Sequence, residues 1–189
     1  MGLLDVLLGR KKLKEAREEK IFALSSAAVT MDVELGMKPG KSAAVCFKPL
    51  SAGDFVRAEN ELQELLDLAV QETGSRVRRK SDELGYDWII VEDPDFEDLV
   101  TTVHMVGSEL KARGFGGQLL AAVFRFDRKE RPVYWIYGYK RGAFWPFVPG
   151  EKERERDNAE ELELKAKLEK ELPVEQDLSR WFALFDAPV

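Results

Sequence analysis

Residues 133–147, VYWIYGYKRGAFWPF, constrain the fold of this chain more than any other stretch. They hold seven of the chain's 19 aromatic residues in 15 positions, interrupted by Lys140, Arg141 and Gly142. Side chains alternate between the two faces of a β-strand, and in this tract aromatic residues fall on both faces. Such a pattern is typical of strands that are covered on both sides. The tract therefore predicts two core strands, Val133–Tyr139 and Ala143–Phe147, joined by a hairpin turn, and Pro146 places the second at an edge of the sheet.

The rest of the chain shows further strand and helix patterns. Residues 29–35 alternate strictly between apolar and polar side chains, which predicts a half-buried strand. A turn at residues 37–40 would follow it. The alternative is a helix that ends at Gly36. Helices are also expected over residues 54–73 and 93–114. Strands are expected over residues 42–47, 76–81, 86–91 and 118–126. Because strands and helices do not alternate one to one, we expect an α+β fold. It would be a two-layer arrangement, with an antiparallel sheet and helices packed mainly on one face.

The composition divides the chain into three parts. We expect residues 1–24 to form an N-terminal amphipathic and charged helical segment and residues 25–150 to form the α+β core domain. From Glu151 the composition changes, because residues 151–172 carry nine acidic and six basic side chains before Pro173. We expect residues 151–189 to be a charged helix and an aromatic C-terminal segment that pack on the core.

Charge and cysteine content exclude several classes of protein. The net charge of −6 speaks against a nucleic-acid-binding protein. The single cysteine, Cys46, allows no internal disulfide and fits a reducing compartment. The N-terminal residues lack the charge order of a signal peptide, and no run of 18 apolar residues occurs. We therefore expect a cytoplasmic protein.

The nucleophilic and metal-ligating residues do not form a recognisable catalytic pattern. His104 is the only histidine, which speaks against a zinc site, and Cys46 lies in an apolar strand as a buried structural thiol would. The glycines of the GFGG motif at 114–117 follow a helix, so they indicate a turn and not a phosphate-binding loop. We therefore expect no catalytic residue, no cofactor and no metal site.

Two charged clusters have a structural and a binding interpretation. Asp93, Asp95, Glu97 and Asp98 lie at the start of a predicted helix, where carboxylates cap the helix, with a divalent cation site as the alternative. Here Asp93 would be the N-cap and Pro94 the first helical residue. The cations of residues 76–80 favour a solvated strand face paired with the acidic C-terminal helix, and a partner or lipid surface is the alternative.

Two surfaces are candidates for binding. The N-terminal segment could dock on a membrane, on a partner or on the domain itself, since an apolar helical stripe precedes a run of cations there. Its residues are Leu3, Leu4, Leu7, Leu8, Arg10, Lys11 and Lys12. The second candidate, a ligand or partner surface on the aromatic hairpin, competes with the interpretation of that hairpin as core. Its residues are Trp135, Tyr137, Tyr139, Lys140 and Arg141.

Five stretches of the sequence carry a family resemblance. They are MGLLDVLLGR at the start, AAVCFKP at 43–49, YGYKRGAFWPFVPG at 137–150, RDNAEELELKAKLEKELPVE at 156–175 and LSRWFALFDAP at 178–188. In these stretches the chain resembles the PspAB family of PspA-associated proteins. The resemblance implies association with the PspA/Vipp1 membrane-stress system, also called phage shock, and it transfers no catalytic residue.

These observations lead to two expectations about function. The first is a non-enzymatic accessory or adaptor protein of a PspA-type membrane-stress response, with a PspA/Vipp1-like partner and peripheral contact with the inner face of the cell membrane. The alternative is a small-ligand-binding sensory domain that uses an aromatic-lined face of the sheet.

Overall fold

The computed structural model describes residues 19–48, 64, 67, 70, 71 and 73–189. The N-terminal docking residues therefore lie outside the described residues, as does most of the helix expected over 54–73. The described positions of that helix, Glu64, Asp67, Val70, Gln71 and Thr73, are helical. Within the described ranges, no helix combines the length and the apolar character needed to cross a bilayer.

Six strands form one sheet, and three longer helices are described with it. The strands are β1 Met37–Phe47, β2 Arg76–Ser81, β3 Asp87–Glu92, β4 Leu119–Arg128, β5 Arg131–Gly138 and β6 Ala143–Phe147. The helices are α1 Ala23–Leu35, α2 Phe96–Ala112 and α3 Asn158–Leu168, with 3-10 turns at Glu19–Phe22, Phe115–Gly117 and Leu178–Arg180. The strand order is β2-β3-β1-β4-β5-β6, and every neighbouring pair is antiparallel. The predicted α+β fold is confirmed, with β6 at an edge.

Helix α1 covers a region where the sequence pattern favoured a strand, so the strand prediction for residues 29–35 is wrong. The buried side chains of α1 follow helical spacing at Leu24, Ala27, Ala28 and Met31. Val29 and Val33, which suggested strand alternation, are 66% and 79% exposed. Gly36 ends the helix with φ 59°, a left-handed conformation that glycine adopts without steric cost. The alternative, a helix ending at Gly36, is therefore confirmed.

Strand β1 begins at Met37, so the turn predicted at residues 37–40 is also wrong. The strand pairs with β3 and β4, and its register against β4 shifts between Pro39 and Ala43. Such an irregularity accommodates Pro39, which cannot donate a ladder hydrogen bond. At Gly40 a Cβ would come within 2.8 Å of the Arg125 carbonyl oxygen, so the two backbones approach closely only because Gly40 has no side chain. Pro39 and Gly40, which predicted a turn, therefore lie within the 11-residue strand β1.

Helix α2 begins two residues later than the sequence predicted. Its N-cap is Asp95, whose Oδ1 accepts hydrogen bonds from the backbone N–H groups of Glu97 (2.8 Å) and Asp98 (3.2 Å). The predicted N-cap, Asp93, is buried and accepts instead from the Ser75 hydroxyl at 2.6 Å and from the backbone N–H of Asp95. Asp93 therefore ties the start of β2 to the loop that leads into α2.

The two faces of the sheet are covered differently. Helices α1 and α2 contact each other and both pack on β1. On this helix-covered face, the Phe96 ring of α2 meets the rings of Phe124 and Phe126 edge to face, with centroids 6.3 Å and 5.2 Å away. The opposite face is covered in part by the C-terminal segment, residues 181–187, which contains no α-helix. The candidate site lies on this second face.

Candidate functional site

A row of small side chains crosses the second face of the sheet. Trp88 of β3 lies opposite Cys46, Cys46 opposite Ala121, Ala121 opposite Gly138 and Gly138 opposite Ala143. Directly opposed residues of antiparallel strands project from the same face. With neighbouring strands about 4.8 Å apart, the four small residues span about 14 Å, and Trp88 stands one strand further on. We call this depression the trough.

The C-terminal segment forms a roof over the trough. Trp145 donates a hydrogen bond from Nε1 to the Phe182 carbonyl oxygen at 3.0 Å, and the two rings meet edge to face. The Phe185 ring stands perpendicular to the Phe147 ring at a centroid distance of 4.9 Å. Floor and roof enclose a cavity of about 640 Å³, which is within the usual range of small-molecule sites.

One end of the trough carries a carboxylate that is held by hydrogen bonds. Asp82, in the β2–β3 turn, accepts from Trp88 Nε1 at 2.8 Å and from the backbone N–H groups of Leu84 and Tyr86. Partial burial alone would raise the pKa of Asp82, but these hydrogen bonds outweigh it and hold the pKa below its usual value. Asp82 is therefore a fixed negative charge at this end.

The opposite end of the trough is rich in cations. Lys140 and Arg141 come from the β5–β6 turn, and Arg180 comes from the 3-10 turn that precedes the roof. Both guanidinium groups lie near one carboxylate, Glu175, at 3.5 Å from Arg141 and 3.7 Å from Arg180, and Arg180 also contacts Asp177 at 3.0 Å. Lys140 forms no ion pair with any residue in the described part of the chain. This end therefore carries an excess of positive charge.

Cys46 lies on the floor of the trough and is 4% exposed. Burial, together with the nearby carboxylates of Asp82 and Asp87, raises the pKa of the Cys46 thiol to about 12. The thiolate is the nucleophilic form, so this environment disfavours reaction at neutral pH. The geometry agrees with the expected structural thiol.

At pH 8 we expect Cys46 to react with iodoacetamide about a thousandfold more slowly in the native chain than in the urea-unfolded chain. The reason is that the thiol pKa is about 12 in the native chain and 9.0 in the unfolded chain, which lowers the thiolate fraction by about that factor. Mass spectrometry of quenched samples measures the rate, and the chain has no other cysteine. Native and unfolded rates within tenfold of each other would contradict this assignment.

The residues that the sequence analysis proposed on the aromatic hairpin separate into two groups. Trp135 and Tyr137 are fully buried on the helix-covered face, and Tyr139 turns towards α2, where the Lys111 ammonium lies 4.9 Å from its ring centroid. None of these three rings lines the trough, so the expected ligand face built on them is corrected. Lys140 and Arg141 do line it.

The charged clusters and the histidine have structural partners. Arg76 and Arg78 pair with Glu92, and Arg79 pairs with Asp87. The predicted pairing of this strand with the acidic C-terminal helix is wrong, because β2 forms one edge of the sheet while α3 packs on β6 at the other edge. The ring of His104 packs on Phe22 at 4.7 Å. Among the described residues, no group of His, Cys, Asp or Glu is placed to hold a metal ion.

The aromatic walls of the trough, Trp88, Trp145 and Phe182, were not among the predicted site residues. In the sequence, Trp88 and Trp145 lie in apolar strands and Phe182 lies near the C-terminus, so nothing local distinguishes them from ordinary core or terminal residues. The only signal was the small size of Cys46, Ala121, Gly138 and Ala143, and these four become a row only when the register of four strands is known.

A family model, PspAB, PspA associated protein B, matches residues 1–189. The matched range includes the trough, the roof and the N-terminal docking residues. No curated protein and no solved structure matches the chain. The family match is therefore the finding from which a function is argued.

Proposed function

The chain belongs to the PspA associated protein B family, and from this premise we propose that it is a non-enzymatic accessory or adaptor protein of a PspA-type membrane-stress response. The family match over the whole chain carries the proposal. The chemistry of the site supports it, since the thiol of Cys46 has a raised pKa and the carboxylates of Asp82 and Asp95 serve as hydrogen-bond acceptors for their own turns. The protein would act in the cytoplasm, at the inner face of the cell membrane.

The proposal is tested by co-purification from the native organism. The tagged full chain is captured from cells that contain the PspA homologue and from cells that lack its gene, and bound proteins are identified by mass spectrometry. We expect the PspA homologue among the enriched proteins of the first strain. Its absence from the enriched proteins, with the tagged chain present and folded, would refute the proposed association.

The proposed membrane contact rests on the sequence of residues 1–14. An apolar stripe of four leucines followed by Arg10, Lys11, Lys12 and Lys14 suits the interface of an anionic bilayer, where each cation contributes about 1 kcal/mol of attraction. We expect the full chain to float with anionic liposomes and a chain lacking residues 1–14 to remain at the bottom of the gradient. Equal flotation of both chains, or flotation of neither, would contradict the proposed membrane contact through residues 1–14.

A second candidate function is a sensory domain that binds a small ligand. The cavity of about 640 Å³ favours it, because apolar walls with a few charged groups at the ends are typical of ligand sites. Binding there would use Trp88 and Trp145 in place of the aromatic side chains that the sequence analysis named.

A further inference from the structure

We propose that the trough binds a single-chain anionic amphiphile, that is, one long alkyl or acyl chain that ends in a carboxylate or a phosphate. This inference rests on the second candidate function and names the class of its ligand. It does not depend on association with PspA. Three features of the trough carry it: an elongated apolar interior, opposite charges at its two ends, and an apolar rim.

The interior of the trough suits a hydrocarbon chain. The floor residues Cys46, Ala121 and Ala143 line the cavity, and the Trp145 ring lies over Gly138. Trp88, Leu184 and Phe185 are among the other residues that line it. At about 30 Å³ for each group of the size of a water molecule, a cavity of about 640 Å³ holds roughly 20 non-hydrogen atoms. This is the size of a fatty acid with 16 to 18 carbons, and burial of such a chain is driven by the removal of apolar surface from water.

The charges at the two ends give the ligand one orientation. The Lys140 ammonium has no carboxylate partner among the described residues, and Arg141 lies beside it on the same turn. An anionic head group at this end gains charge-assisted hydrogen bonds from Lys140 and Arg141. At the other end the carboxylate of Asp82, with its lowered pKa, repels an anion. The head group therefore lies at the Lys140 end and the chain points towards Trp88.

The rim supplies an entrance for an apolar molecule. Leu84 and Phe182 line the cavity and are 74% and 65% exposed, and Tyr86 beside them is 36% exposed. Large apolar side chains that remain exposed around a cavity mark a binding site more often than scattered ones do. Both the β2–β3 turn and the roof contribute side chains to this rim.

A helix of a partner protein fits this site less well than a single chain does. The roof is fastened at several points, since Trp145 Nε1 bonds to the Phe182 carbonyl, Arg156 Nη1 donates to the Trp181 carbonyl at 2.7 Å, and Trp181 Nε1 donates to the Glu175 carbonyl at 3.0 Å. An α-helix with its side chains is about 10 Å wide, so it could reach the floor only if these bonds broke. The slender ligand is therefore favoured.

Calorimetric titration of the full chain tests the proposal. The probes are hexadecanoate, hexadecan-1-ol and 1-hexadecanoyl lysophosphatidate, each below its aggregation concentration. We expect hexadecanoate to bind at one site per chain and the neutral alcohol, which has the same chain length, to bind at least about tenfold more weakly, because one charge-assisted contact is worth about that factor. The ratio between hexadecanoate and the lysophosphatidate tells whether carboxylate or phosphate is preferred.

Three variants locate the binding. Lys140→Gln is expected to weaken hexadecanoate about tenfold. Its matched control is Lys129→Gln, an exposed lysine in the β4–β5 turn at the other end of β5, which should leave the affinity unchanged. Ala143→Leu should weaken both hexadecanoate and the alcohol, since it fills the floor of the trough. Thermal unfolding of each variant confirms that it is folded.

The possible results test two claims separately, that the ligand is anionic and that it binds in the trough. Equal binding of hexadecanoate and the alcohol would overturn the anionic class while leaving the trough as a ligand site. Binding of none of the probes would overturn this inference. It would leave open the second candidate function with a ligand of another class, and it would leave association with PspA unaffected. Equal losses with Lys140→Gln and Lys129→Gln would show that the head group lies elsewhere, which also overturns the proposal.

Discussion

Arg156→Ala is expected to lower the free energy of unfolding by about 3–5 kcal/mol, because it leaves a buried carboxylate without its counter-ion. Glu161 is 2% exposed and receives two hydrogen bonds from Arg156, from Nε at 3.1 Å and from Nη2 at 2.8 Å. The same guanidinium donates to the Trp181 carbonyl and lies over the Phe147 ring at 5.7 Å. Arg156 thus joins α3, β6 and the start of the roof, and equilibrium unfolding in urea measures its contribution.

A matched control lies two residues earlier in the chain. Arg154 pairs with Asp186 at 3.2 Å, but the two side chains are 63% and 59% exposed. Solvent and salt screen such a pair, so Arg154→Ala should cost less than about 1 kcal/mol. If both variants lost the same amount, the buried ion pair would not be the feature that fastens the C-terminal segment to the sheet.

Trp145→Ala is expected to lower the free energy of unfolding by about 3–5 kcal/mol, the usual cost of truncating a buried aromatic residue to alanine. The side chain is 8% exposed, packs against Gly138 and donates its indole N–H to the Phe182 carbonyl. Its removal should also free the roof, so hydrogen exchange of the amides in residues 181–187 should become faster. Equilibrium unfolding and exchange measured by mass spectrometry test the two effects.

Phe182→Ala provides the comparison, since its ring meets that of Trp145 at 6.5 Å but is 65% exposed. We expect a loss below about 1 kcal/mol from this variant. The double variant should show a coupling of about 0.5–1 kcal/mol, the lower part of the range for an aromatic pair. A large loss from Phe182→Ala, or no faster exchange in Trp145→Ala, would contradict the assignment of Trp145 as the residue that holds the roof.

The strands were predictable where the pattern reflects burial directly. Trp88 to Val91 is apolar on both faces, and the structure places it in a strand between two others. Ala143–Phe147 was predicted with its bounds, because Gly142 and Pro146 mark its turn and its edge position. These two strands could be predicted because the apolar pattern of the first and the glycine and proline of the second act on the backbone within a few residues.

Residues 29–35 were predicted incorrectly because alternation in a short segment matches two periods at once. Met31 and Leu35 satisfy a spacing of two as well as a spacing of four, and only the burial of Leu24, Ala27 and Ala28 distinguishes the helix. Those three residues precede the alternating segment, so a window that starts at Val29 omits them. The tertiary contacts of α1 with β1 and α2 then decide in favour of the helix.

The trough was not predictable because it depends on register. Cys46, Ala121, Gly138 and Ala143 belong to four strands and are separated by up to 97 positions in the chain. The sequence of one strand does not determine which residue of another strand lies opposite it. A shift of one residue in any pair would turn a small side chain to the other face. The cationic end depends likewise on a long-range contact, that of Arg141 with Glu175.

The central proposal, that this chain associates with a PspA-type protein, rests on the family match. The most direct measurement is calorimetric titration of the purified full chain with the purified PspA homologue of the same organism, with a folded unrelated protein as the control. We predict saturable binding with a fixed stoichiometry to the PspA homologue and no heat of binding with the control. Absence of binding between the two folded proteins would contradict the claim.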